Sequence, residues 1–115
     1  MRDDRGKLLD ILEAIEKIQE RLSVDREVFF GDEMLQVWAV HHIEIIGEAA
    51  SRLTKELRNQ YPSIPWADVI SMRNLLVHHY FGIDLDQVWD TVLLDLPMLY
   101  KDIHDILDDL DARSV

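Results

Sequence analysis

Apolar residues recur at intervals of three and four along most of this chain, and no other feature constrains its fold as strongly. From Asp3 to about Leu22, the positions Leu8, Ile11, Leu12, Ile15, Ile18 and Leu22 form one stripe of a helix whose opposite face is charged. Such a stripe has to be buried against neighbouring helices. Residues 23–31 break the pattern and predict a packed connection, in which Asp25 caps one short turn and Val28, Phe29 and Phe30 plug the end of a bundle. Asp32 suits the N-cap of a second, long helix running through Leu35, Trp38, Ile45, Ala49, Leu53 and Leu57 to about Asn59, with Pro62 marking its end. Its acids come early and Arg52, Lys55 and Arg58 come late, as the helix dipole prefers.

Pro65 suits the first turn of a third helix that carries Val69, Met72 and Leu76 before Gly82 stops it. Asp84 can cap a fourth, whose apolar positions from Val88 to Leu110 keep helical period, and Pro97 should kink or split it. The acidic end, residues 108–115, is expected to fray. No stretch alternates as a strand would. The expected fold is therefore all-α: an antiparallel up-and-down bundle of about four main helices with short connecting helices, in one domain spanning residues 1–115. Trp38, Trp66 and Trp89 stand at apolar helical positions and read as core or dimer-interface anchors.

Composition narrows the function classes. With no cysteine, a disulfide framework and a thiolate metal site are both excluded. The N-terminus is charged throughout, unlike a signal peptide, and no run approaches the ~20 apolar residues that span a bilayer. A cytoplasmic protein with no membrane partner is expected. The formal charge of −11 opposes nucleic-acid binding, which normally draws on surplus Lys and Arg. Its distribution softens that objection. Within residues 41–80 the acids Glu44, Glu48, Glu56 and Asp68 balance the bases Arg52, Lys55, Arg58 and Arg73, so the whole surplus lies elsewhere. His41, His42, His78 and His79 fall in the same stretch, which can become positive in mild acid.

That stretch contains RNLLVHHY, Arg73 to Tyr80, which sets a guanidinium, an imidazole and a phenol in an otherwise apolar run. Metal-free RNA cleavage needs a base for the 2′-hydroxyl proton, an acid for the leaving oxygen and positive charge for the phosphate. His78 has a suitable unperturbed pKa for the proton transfers, and Arg73 offers a permanently charged fork. Tyr80 can orient the phosphate or stack a base, and Asn74 can hold the arginine or a hydroxyl in place. On an ideal helix Arg73 and Tyr80 nearly eclipse, but Arg73 and His78 diverge by roughly 140°. Either the helix loosens near Gly82 or the site joins motifs from two subunits across a two-fold axis, and the dimer is favoured. His79 points about 100° from His78 and reads as a neighbour that supports the site, not as a second base.

A purely structural reading has Arg73 paired with Glu44 or Glu48 and Tyr80 resting its ring on the core. The histidines offer only one i, i+3 pair with an acid, His41 and Glu44, and no Glu-x-x-His, so no metal and no cofactor are expected.

Arg73, four residues, His78, one residue and Tyr80 is the spacing of the HEPN superfamily of RNA-cleaving helical domains. From about Leu8 to Leu107 the chain resembles the HepT-like toxins of that superfamily, which are encoded beside an MntA-type minimal nucleotidyltransferase antitoxin. The resemblance rests on IEIIGEAASRL (Ile43 to Leu53), YPSIPWADVISMRNLLVHHYFGID (Tyr61 to Asp84) and VWDTVLLDLPML (Val88 to Leu99). It implies a metal-independent endoribonuclease, the toxin of a type VII-like HEPN/MNT toxin–antitoxin system. Arg73 and His78 would be catalytic, in a homodimer with its cleft at the interface. It also implies that Tyr80 is the residue the antitoxin modifies with AMP, placing bulk and negative charge near Arg73. Glu48, in the GEA block, would position Arg73 across the bundle or serve a simpler capping or core-polar role. The chain departs from the family at His79, where members usually carry glycine. A second reading, from the net acidity and His79, is a non-catalytic helical module that binds a nucleotide or a nucleotidyltransferase partner.

Overall fold

The computed structural model describes residues 2–74 and 84–113 of the chain. Three long helical segments dominate. The first, α1 (Arg2–Leu22), buries the predicted stripe, with Leu8, Ile11, Ile15 and Ile18 fully inaccessible to solvent. A short α2 (Arg26–Phe30) leads into α3 (Glu33–Ser51), followed by α4 (Lys55–Gln60) and α5 (Trp66–Ser71). α5 tightens into a 3₁₀ turn, Met72–Asn74. After the segment that is not described, α6 (Leu85–Asp90), a π turn (Thr91–Asp95) and α7 (Leu96–Arg113) follow one another directly.

Side-chain ties fix the directions. Arg5 pairs with Asp111, and Tyr100 donates a hydrogen bond to Glu16, so α1 and α7 run antiparallel. Thr54 reaches Asp4 while the Trp38 indole donates to the Lys17 carbonyl, so α1 and α3 are antiparallel as well. The all-α antiparallel bundle is what the periodicity demanded. Its buried side chains form a cluster to which α1, α3, α5, α6 and α7 all contribute, and no described helix is long and apolar enough to cross a membrane.

Several local expectations are corrected. The second helix was expected to reach Asn59, but it ends at Ser51, and Thr54 starts α4 by accepting the Leu57 N–H on its hydroxyl. The cause lies across the bundle. Asp4, almost wholly buried, accepts both the Thr54 N–H (2.9 Å) and the Thr54 hydroxyl (2.7 Å), anchoring the chain in an extended conformation where a straight helix would have continued. Leu53 and Leu57 are still buried, but from either side of that break.

The inner face of α3 is also rotated from the expected one. Ala39, His42, Ile43, Ile46, Gly47, Ala49 and Ala50 are buried, while Leu35, Trp38 and Ile45 are only partly so. Small residues let a central helix be packed closely on two sides. The polar member, His42, is satisfied locally: its Nδ1 lies 2.7 Å from the Trp38 carbonyl, which can only accept, so Nδ1 carries the proton. In the first connection Phe29 plugs the bundle end against Trp89, whereas Val28 faces solvent and the Asp25 side chain makes no capping bond.

Pro65 takes the N-cap position of α5, not its first turn, and its carbonyl receives the Val69 N–H. At Pro97 the fourth helix is not severed, but its α hydrogen-bond ladder is interrupted. The proline has no N–H for the Leu93 carbonyl, and the turn before it adopts π geometry. The described part of the acidic end is helical to Arg113, with Asp111 tied to Arg5 and Asp109 accepting the Tyr61 hydroxyl.

Candidate active site

The site is built where α5 and its 3₁₀ turn lie on the C-terminal half of α3. Gly47 makes the approach possible. A Cβ built on Gly47 would stand 2.8 Å from the Arg73 nitrogen, 2.9 Å from the Arg73 Cβ and 3.1 Å from the Ile70 carbonyl oxygen. Only a residue without a side chain admits that backbone, and Met72, buried beside it, fixes the turn to the core. Arg73 is thereby held over α3, where the Glu48 carboxylate is within reach.

Glu48 grips two arginines at once. Its Oε2 accepts from Arg73 Nη1 at 3.0 Å, and its Oε1 accepts from Arg52 Nε at 3.2 Å. The Arg52 hydrogen bond, reinforced by Arg73 against a desolvation penalty, holds the Glu48 carboxyl below the usual carboxylate range, so it is ionised at neutral pH. All three side chains remain substantially exposed to solvent. They line an open cleft of about 550 Å³. Lys7 and Asp10 of α1, His41 and Glu44 of α3, and Asn74 next to Arg73 line it as well. Three cations and three carboxylates line the cleft, so it is locally balanced in a chain of charge −11.

Among the expected site residues, the structure thus brings Arg73, Asn74 and Glu48 to one cleft. His78, His79 and Tyr80 lie outside the described residues, as does the stretch of the third helix expected to carry them. The α geometry tightens to a 3₁₀ turn at Met72–Asn74, and the path from Asn74 on to His78 lies outside the described residues. Sequence reasoning passed over Arg52, Lys7 and Gly47 as site residues. Two signals were present: Arg52 follows Glu48 by four residues, the spacing of a helical ion pair, and Gly47 is an unexplained glycine inside a helical pattern. Among the described residues, no three or more acidic or histidine side chains converge as metal ligands.

The family signature described as "Ribonuclease HepT-like" matches residues 11–106, nearly the whole chain and all of the cleft but Lys7 and Asp10. The chain belongs to the HepT-like family. A Methanocaldococcus jannaschii protein named for gamma-glutamylcyclotransferase activity and, provisionally, as an RNase is 40% identical over 114 residues. Those residues are 98% of this chain but 51% of that protein, so this chain corresponds to about half of it. A second protein of that organism, provisionally named an RNase, is 33% identical over 98% of this chain and 94% of its own length. A Thermococcus cleftensis protein named "probable ribonuclease HepT" is 38% identical over 99 residues, 85% of this chain and 90% of its own. No solved structure gives a significant match.

Proposed function

We propose that this HepT-like chain is a metal-independent endoribonuclease and the toxin of a toxin–antitoxin pair. The observation that carries this reading is Arg73, held by Glu48 in the lining of an open cleft, in a chain whose family is named for ribonuclease activity. In the reaction the 2′-oxygen bonds to phosphorus as the bond from phosphorus to the 5′-oxygen breaks. The 2′-hydroxyl proton passes to a base and the leaving 5′-oxygen receives one. His78 supplies the proton transfers, an effect typically worth ~10²- to 10⁴-fold. Arg73 meets the charge that builds on the phosphate, and Asn74 orients a hydroxyl beside it.

The working form is a homodimer whose two motifs share one cleft, and a nucleotidyltransferase antitoxin of the MntA type silences it by placing AMP on Tyr80. An added phosphodiester on Tyr80, seven residues along from Arg73 in the motif, would repel RNA phosphates and block the cleft. RNA incubated in EDTA with wild type, Arg73→Ala and His78→Ala tests the reading. Cleavage by the wild type alone is expected. Equal activity in all three, or none in any, overturns it.

A further inference from the structure

Beyond the motif, the cleft carries a second guanidinium with the same tether as Arg73. Arg52 is the C-cap of α3, and Glu48 holds it through Nε. That contact leaves the Nη1 and Nη2 edge of Arg52 open, a complete two-pronged fork for phosphate oxygens. Arg73 is held through Nη1 instead, which leaves its Nε and Nη2 edge open. One carboxylate therefore restrains two arginines by different nitrogens and leaves each with a full binding edge. Among the described residues neither arginine has another carboxylate partner, and both line the cleft. Lys7 joins them from α1.

A single arginine suffices to neutralise the phosphate under attack. A second one on the same carboxylate has a different use: RNA phosphates follow one another along the strand, so the next phosphate is the natural ligand of the second fork. We infer that Arg52 binds an RNA phosphate adjacent to the one held by Arg73, so that Glu48, Arg52 and Arg73 form a two-phosphate clamp that sets the path of the strand through the cleft. The inference rests on the ribonuclease reading. It adds a substrate-binding residue outside the Arg73 to Tyr80 motif and explains how an acidic chain holds RNA, through a few tethered cations in place of a basic surface. Because Glu48 is already ionised and satisfied, the two guanidiniums are restrained before RNA arrives, which lowers the entropy cost of binding.

The test measures binding of a 2′-O-methyl RNA oligonucleotide, which cannot undergo the 2′-oxygen attack, at several salt concentrations. Arg52→Ala should weaken binding about three- to tenfold at ~0.1 M salt and reduce the salt slope by about one counterion. Arg52→Lys, which keeps the charge, should retain the slope. The same loss should appear when Arg52→Ala is added to Arg73→Ala, since a direct contact does not act through Arg73. On cleavable RNA, Arg52→Ala should raise KM more than it lowers kcat. Unchanged affinity and slope in Arg52→Ala, or a loss that vanishes in the Arg73→Ala background, overturns the clamp. Cleavage measured in parallel reports separately on the ribonuclease reading, because the binding assay needs no catalysis.

Discussion

Gly47 lies directly beneath Arg73, so closely that a Cβ on the glycine would come within 2.9 Å of both the Arg73 nitrogen and its Cβ. The atoms in the way are backbone and its first side-chain carbon, neither of which can swing aside. Alanine in place of glycine ordinarily gains a helix about 1 kcal/mol, whereas overpacking typically costs about 1–3 kcal/mol, so the clash decides the sign. Gly47→Ala should therefore lower stability in urea and also pull Arg73 away from Glu48. RNA cleavage should fall well beyond the fraction of protein unfolded. A Gly47→Ala protein as stable and active as the wild type would show that the approach of α5 to α3 is looser than described.

A second prediction concerns the break between α3 and α4. Asp4→Ala removes the acceptor of both the Thr54 N–H and its hydroxyl, in a place water hardly reaches. An orphaned buried donor costs about 1–3 kcal/mol, and the loss should appear as a lower denaturation midpoint. Thr54→Ala, which also removes the cap on Leu57, should cost about 1 kcal/mol or more. Because the two residues share one interaction, the double variant should be less destabilised than the sum of the singles.

That break marks what the sequence made legible and what it concealed. The stripe on α1 and the apolar period of the fourth helix fix the helices and their buried faces without help from the rest of the chain. Leu8 to Leu22 and Val88 to Ile106 are buried as the period requires. The end of α3 depends on a carboxylate fifty residues away, and no local pattern around Thr54 carries that information. The face of α3 was misjudged for a related reason. Large residues such as Leu35 and Trp38 suggest an inner face, but a helix packed on two sides is defined by its small ones, Ala39, Gly47 and Ala50. At the site, Glu48 was open between two roles until the fold brought α5 across α3.

Acid should weaken the ties that depend on depressed carboxylates. Glu48 is lowered chiefly by its hydrogen bond from Arg52, and Asp111 chiefly by the one from Arg5. A carboxylate whose folded pKa lies below its unfolded value contributes stability above the unfolded pKa, and loses it as the pH falls through the folded value. Both contributions should be intact at neutral pH and fade below the ordinary carboxylate range, under about pH 4. Both pairs are exposed, so the effect should be small and weaken further in salt. Glu48→Gln should flatten that limb of the stability profile; an unchanged limb would assign it to other carboxylates.

Asp95 should behave in the opposite sense. Asp95 is exposed, but partial desolvation, followed by repulsion from Asp90 and Asp68, raises its pKa, so its charge weakly opposes folding at pH values above the raised pKa, and that cost is relieved as the pH falls through it. Asp95→Asn should be slightly more stable than the wild type at neutral pH, by thermal denaturation. A less stable variant would mean that the carboxylate makes a favourable contact in the π turn.

If Tyr80 is the regulated residue, the cognate nucleotidyltransferase and ATP should add AMP-sized mass to the peptide containing it, and Tyr80→Phe should abolish the labelling. Labelling that persists in Tyr80→Phe would move the site elsewhere. Light scattering at micromolar concentration should give a dimer for the unmodified chain, and a strictly monomeric mass would remove the shared cleft.

The most direct measurement is the chemistry of the cut ends. Incubated with RNA in EDTA, the wild type should leave fragments ending in a 2′,3′-cyclic phosphate and should spare a substrate with 2′-deoxyribose at the cut position, and with Arg73 or His78 replaced by alanine the RNA should stay uncut. Cleavage of the 2′-deoxy substrate, or RNA left intact by the wild-type dimer, would contradict an Arg73 and His78 ribonuclease.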